Sequence, residues 1–491
     1  MWKSSRRSFL LTATAVGLGA AGAGTWGSAA AGQMRADPAA ADALFEQVER
    51  MTAHGPRFTG GEAHRRYVDD LQGGLESYGL TVTRYPVPLD GWWARRWSFQ
   101  VADADGRTEQ IPLAYYRPHS GETPPEGVTA ELVYVGDGTA DDYQRVDVRG
   151  KIVVADITLP PLPVGAIFLL AKHFQPPAAM PIVGLEDYTR TAFSLFGRAP
   201  SLELAQQHGA VGMINIFPFP PAEAAGQYSP HQQNHVGLPA VHLDEQQGKR
   251  LRDLIGHGAL TGTLVLEAEH RPTTVEYLVA ELPGSGRLPG ALLLGTHTDG
   301  QNAIEENGGP ALLAMAEYLT RLDRSQRPRD IVFLLSPNHM CANSATVKPD
   351  KWLNQHPEIQ NRLKYAIWPE HLGAMNWTNN PLTRTYGPTG RSEIAVLGVG
   401  NSSALDSLVI DQVKRDQLDR TAVEWPLGAG LYGEATSTYQ QGIPTVQYIS
   451  CPTYLVQVAK DGHLDKIDPA LMYRQTQFLT RLATRTLALP G

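Results

Sequence analysis

The chain has 491 residues, of which 42% are apolar and 19% charged, and its formal net charge is -8. This is the composition of a folded globular chain too long for one ordinary core, which excludes disorder and points to two domains or one domain with an insertion. The acidic balance lacks the clustered Lys and Arg that nucleic acid needs, and two cysteines, Cys341 and Cys451, are too few for a disulfide framework or a thiolate metal site.

At the N-terminus, Arg6 and Arg7 precede a weakly apolar, Ala- and Gly-rich run at 10–23, and the small residues 28–31 follow. That layout predicts a twin-arginine export signal over residues 1–31, cleaved near Ala31, and hence a secreted protein. The run is too short and too Gly-rich to span a bilayer well, and no later segment has the length of a spanning helix. Residues 41–79 are expected to be helical, with Leu44, Val48 and Met51 on one stripe and Tyr67, Leu71, Leu75 and Tyr78 on another. An alternating strand is expected over 80–87, and Pro124 and Pro125 mark a boundary.

The middle of the chain is expected to be β-rich. Residues 132–136 and 150–155 are strand candidates, 205–215 reads as a helix end, a Gly stop and a buried strand, and 238–241 precedes a polar helix at 245–255. The succession Gly-Lys-Ile-Val, Gly-Ala-Val-Gly-Met-Ile-Asn and Leu-Pro-Ala-Val-His-Leu, in that order, resembles the protease-associated (PA) domain over about 129–266. The resemblance implies a PA-like module inserted at 126–272 within an α/β domain made of 41–125 and 273–491. An apolar, Pro-rich insert at 159–201 reads equally as a lid and as a packing loop.

From Val275 onward, buried strands at 277–282, 291–295 and 330–335 surround an amphipathic helix at 310–322. The expected fold class is α/β, with a mostly parallel central sheet and helices on both faces. In such sheets ligands bind beyond the carboxyl ends of the strands. His297-Thr298-Asp299 follows the second of these strands directly. A neutral imidazole there suits zinc, and Asp299 is expected to orient its ring. The acidic pair Glu305-Glu306 precedes Asn307 and a helix start that favours negative charge. No G-x-S-x-G elbow, H-E-x-x-H motif or phosphate loop is present.

With these motifs in this order, the chain resembles the co-catalytic zinc exopeptidases of the aminopeptidase Y, bacterial secreted aminopeptidase and glutamate carboxypeptidase group, from about Ala41 to the C-terminus. The resemblance implies His297 as a zinc ligand and Glu306 as the carboxylate in the bridging position. It also implies Glu370 as a further ligand with His371 beside it, and His463 as a ligand or a residue with no catalytic task. The family's Glu-Glu pair is replaced by Asn338-His339-Met340. In one register Asn338 stands for the base and His339 for the ligand; in the other, His339 is the base and Met340 the former ligand. Glu434 stands where the family has an Asp-His near the substrate.

The catalytic candidates are therefore Glu306, His339, Asp299 and Glu434, and the metal ligands His297, Glu306, Glu370, His339 and His463. His371, Trp368 and Asn338 are expected to meet the substrate, while Trp92, Trp93, Trp377 and Trp425 read as cleft lining or as core. One zinc ion is expected rather than two, with no bound ion as the remaining alternative, because one ion keeps His297, Glu306 and Glu370 whereas a second would depend on His339 and His463. In the first register the neutral Asn338 also removes the family's general base, since it cannot accept a proton. The expected function is metal-dependent hydrolysis of an amide in a small or peptide substrate. The alternatives are glycoside or ester cleavage by the carboxyl pair Glu306 and Glu370, and a binding protein without turnover.

Overall fold

The computed structural model describes residues 37–490 except 170, 177–185, 191–198, 343–348, 381–382, 384 and 429. The expected export signal and its cleavage site lie outside the described residues, as does part of the 159–201 insert. No helix among the described residues is long and apolar enough to cross a membrane.

The helical N-terminal region is two helices, Pro38–Ala53 and Glu62–Ser77. The first has Pro38 at its opening turn and is capped by Asp37, whose carboxylate accepts from the Ala39 amide. Leu44, Val48, Met51, Tyr67, Leu71 and Leu75 are buried, as their spacing requires. Between the helices the chain turns through Gly55 and Gly60, both at positive φ, and places Arg57 in the interior.

Four parallel strands form the middle of the sheet, in the order Asp330–Ser336, Ala291–His297, Leu363–Pro369 and Thr445–Ser450. Antiparallel strands flank them: Thr261–Leu282 on one side and Ala395–Gly400 on the other. Alternate residues face opposite layers. Leu292, Leu294 and Phe333 pack with Leu312 and Met315 of the helix Gly308–Arg321 and with Phe478 and Leu482 of Pro469–Leu487. Leu293, Val332, Leu334 and Trp368 pack with Trp352, Leu353, Ile359 and Ala435 on the other face. Each such side chain contributes roughly 1.5–3 kcal/mol on burial, so the strand ends form a fixed platform. Burial on both faces is why these strands read as unbroken apolar runs rather than alternating ones.

The middle region carries parallel strands Val128–Tyr134, Ile152–Asp156, Gly212–Ile216 and Ala240–Leu243, with Tyr115–Tyr116 antiparallel at the edge. The helix Glu245–His257 packs on them through Leu251. The expected module boundary at 272 falls inside one continuous strand, Thr261–Leu282. Its first half pairs with Val128–Glu131, its second half with Ile331–Leu335, and nearly its whole length with Val82–Ala102. Of the 159–201 insert, the strand Ala171–Gln175 extends the central sheet by pairing with Thr421–Glu424. Arg190 donates to the Cys451 carbonyl at 2.8 Å and pairs with Glu393 at 3.2 Å.

Candidate metal centre and active site

The candidate residues gather where the parallel strands end. His297 is the last residue of its strand, and its Nδ1 donates to the backbone oxygen of Asp299 at 2.9 Å. Its Nε2 is thereby free to face inward, where it is buried and has no hydrogen-bond partner. Burial, and then His339, lowers the pKa of this ring and keeps it neutral.

Glu370 and His371 follow the strand Leu363–Pro369. His371 adopts a left-handed conformation at φ 57° and donates from Nδ1 to the Ser450 carbonyl at 2.7 Å. Its Nε2 is buried without a hydrogen bond, and burial lowers its pKa to about 4. The side chain of Asn307 ties this turn to the next helix, donating to the Leu372 carbonyl and accepting from the Leu372 amide, each at 2.8 Å. Gly433 is obligatory beside Glu370: at φ 55°, a Cβ there would lie 2.7 Å from the Glu370 carboxylate. Burial, and then the nearby Glu434, raises the Glu370 carboxyl well above its usual range.

Glu305 faces the same space. Its oxygens lie 3.0 Å from His339 Nε2 and 3.5 Å from His371 Nε2. Burial alone opposes its charge, but His371, His339 and His297 outweigh that and bring the carboxyl down to about 2. His339 lies with its ring centroid 4.2 Å from that of His297, and its Nδ1 donates to Glu434 at 2.6 Å. Burial disfavours its charge, yet Glu434 and Glu305 together raise it well above 6.5.

Two groups of potential ligands result: His297, Glu370 and His371, and His297, Glu305 and His339. All are buried, and within each group the donor atoms lie within 4.8 Å of one another. Two imidazole nitrogens and a carboxylate oxygen without hydrogen bonds, His297 Nε2, His371 Nε2 and Glu370 Oε1, form a donor set that fits zinc.

No protein-family model matches the chain, and no curated protein matches it in sequence. Solved structures do match its fold. A peptidase precursor from Shewanella amazonensis superposes with a TM-score of 0.66 at 18% identity, over 92% of this chain and 97% of that one. A zinc aminopeptidase from Bacillus subtilis gives 0.62 at 15% identity, over 92% and 95%. An aminopeptidase from Aneurinibacillus gives 0.60 at 16% identity, over 94% and 96%. The chain has the zinc-aminopeptidase fold. The α/β class and the mostly parallel sheet expected from the sequence are thus those of a known architecture, matched over nearly the full chain.

Within this aminopeptidase fold several expected site residues stand elsewhere. Glu306 is turned away from the ligand groups and forms a buried ion pair with Arg57, which also donates to the carbonyls of Met51 and Asn302. Its neighbour Glu305 takes the inward position, because successive side chains at a helix entrance point in different directions. Asp299 orients the His297 ring through its backbone oxygen, not its carboxylate. The carboxylate accepts from Thr59 and from the amides of His339 and Met340, at 2.9 and 2.7 Å, and so locks that turn beside His297.

Between the two registers, only His339 enters the ligand groups. Asn338 donates to the Tyr277 hydroxyl at 3.2 Å and Met340 packs into the core of the middle region, and neither joins a ligand group among the described residues. Trp368 is also core, donating to Thr438 at 3.0 Å from full burial, and therefore does not line a cleft. His463 accepts at Nδ1 from Lys466 at 2.8 Å and joins no ligand group among the described residues. Sequence reasoning missed Glu305, Arg57 and the middle region's His231 and Gln232. The His231 ring lies 5.1 Å from that of His339, and Gln232 Nε2 is 3.4 Å from His339 Nδ1. No motif marks those two, since only folding brings 231–232 to 339.

Proposed function

We propose that this chain is an exported hydrolase that cleaves an amide bond in a small or peptide substrate, of the aminopeptidase type, with one zinc ion at this site. The observation that carries the reading is the set of buried donor atoms of His297, His371, Glu370 and Glu305 converging at the strand ends. Both ligand groups share His297, whose Nδ1 is already engaged, so its single remaining nitrogen supports one ion. When bound, zinc supplies polarisation of the scissile carbonyl and a water of lowered pKa.

The protein's own residues do the rest. His297 and His371 are held as neutral donors by backbone carbonyls, and Asn307 fixes the distance between the Glu305 and His371 segments. His339, oriented by Glu434, carries the proton: its Nε2 faces the centre and, in the neutral form that the two carboxylates make scarcer, takes a proton from the attacking water and returns it to the leaving amine, so the step strengthens as pH rises through the raised pKa of this ring. This replaces the base that the neutral Asn338 cannot supply. The Glu306–Arg57 pair underpins the helix entrance. That pairing removes the support for glycoside or ester cleavage by Glu306 and Glu370, because Glu306 does not face the site. The arginine pair and following small-residue run at the N-terminus support export.

The test is release of amino-terminal residues from a peptide panel, before and after chelation. Activity is expected to disappear with the chelator, return with zinc, and fall at least about 100-fold in Glu305→Gln. Turnover that survives both treatments would overturn the reading, and absence of turnover with zinc bound would leave a binding protein instead.

A further inference from the structure

The loop that carries His231 and Gln232 to His339 continues to His235, and His235 belongs to another cluster. Glu122, His235 and His270 offer donor atoms that all lie within 4.8 Å of one another. The two imidazole rings are 4.1 Å apart at their centroids, and His270 Nδ1 is 3.7 Å from Glu122 Oε1. That oxygen also accepts from Trp92 Nε1 at 3.1 Å. Trp92 and His270 are direct partners across the antiparallel pair of long strands, so the indole holds the carboxylate beside the histidine.

The cluster is assembled by the backbone as well. The Val236 amide donates to the His119 carbonyl at 3.1 Å and the Gly121 amide to the Leu238 carbonyl at 3.0 Å. These bonds bring the 119–122 and 235–238 segments together. Gly121 permits the approach: a Cβ there would lie 2.4 Å from the carbonyl carbon of Gly237. Three separate segments thus deliver two imidazoles and one carboxylate to one partly exposed point. Imidazole with carboxylate suits zinc and its neighbours, whereas calcium and magnesium prefer oxygen ligands throughout.

We propose that Glu122, His235 and His270 form a second zinc site, distinct from the strand-end centre, which clamps the 231–235 loop to the strand Thr261–Leu282 and keeps His231 and Gln232 against His339. Three protein ligands leave a fourth position for water, as expected at a partly exposed site.

The test uses the full chain, stripped by chelator and titrated with zinc alone, with bound zinc per chain and the zinc-dependent rise in Tm as readouts. His270→Gln and, independently, Glu122→Gln are expected to bind one zinc fewer than the wild type and to show a smaller rise in Tm. His371→Gln, altered only at the strand-end centre, is expected to keep the zinc that those variants lose. Wild-type stoichiometry and Tm rise in both His270→Gln and Glu122→Gln would overturn the proposal, as would a His371→Gln chain that binds no zinc. These readouts need no substrate, so they stand apart from whether the strand-end centre hydrolyses an amide.

Discussion

Nδ1 of His339 lies 2.6 Å from Oε1 of Glu434, and the opposite nitrogen of the same ring lies 3.0 Å from Glu305. The imidazole is therefore held between two carboxylates, the position that the proposed proton carrier needs. Its pKa is raised, against the effect of burial, because both neighbours favour the charged ring. Removing either carboxylate charge makes the neutral ring easier to form.

Glu434→Gln is accordingly expected to move the His339 titration to lower pH, with the acid limb of kcat/KM following it. The variant also loses the partner that orients the ring, so kcat is expected to drop by about 100-fold or more. NMR titration of the imidazole alongside the pH–rate profile checks this. An unmoved acid limb would remove His339 from the proton-carrying role.

Glu305→Gln and Glu306→Gln are expected to separate sharply although they are adjacent in the chain. The first removes a charge from the ligand groups and is expected to weaken zinc binding by at least about 100-fold. The second leaves those groups intact and is expected to retain zinc while losing stability, because Arg57 stays buried without its counter-charge. Zinc titration and denaturant unfolding of both variants give the comparison. Equal zinc loss in the two would contradict the inward placement of Glu305.

Arg57→Ala leaves Glu306 as a buried unpaired carboxylate and is expected to cost about 3–5 kcal/mol. Pairing the substitution with Glu306→Leu removes both charges and is expected to restore part of that stability. Urea unfolding of the single and double variants measures the difference.

Acid sensitivity is expected to come in part from His242. It is fully buried, donates from Nε2 to the Ser229 carbonyl at 2.9 Å, and has its pKa lowered to about 3 by burial first and Arg117 second. The unfolded chain binds a proton on this ring near pH 6.5, while the folded one does not until about pH 3. Between those values the unfolded state holds more protons, so stability falls as pH falls, by up to about 1.4 kcal/mol per pH unit for one such group. A His242→Asn variant is expected to show a shallower loss of stability between pH 6 and about pH 4 in thermal unfolding. An unchanged slope would mean that other groups carry the acid sensitivity.

Much of the fold was legible because burial leaves a local signature. The apolar runs at 291–295 and 330–335, short and alternating with a helical stretch, fit strands buried on both faces, and the stripes of Leu44, Val48 and Met51 and of Tyr67, Leu71 and Leu75 have the spacing of helix faces. The place of the site was legible for a related reason: a His immediately after a buried strand of a parallel sheet lies at the end where ligands bind. The division of the chain was harder to read, since Thr261–Leu282 pairs with the middle region and with the central sheet without a break.

The sequence by itself therefore determined the α/β class, the strand-end location around His297 and the availability of His339, Glu370 and Glu434 nearby. These depend on periodicity and on residues close to strand ends. The tertiary structure alone decided which of Glu305 and Glu306 faces inward, that Asn338, Trp368 and His463 are engaged elsewhere, and that His231 and Gln232 meet His339. The physical reason is directional. Residue type and spacing say what a side chain offers, but one step along the backbone turns it toward a different partner, and Arg57, 249 residues from Glu306, settles that direction.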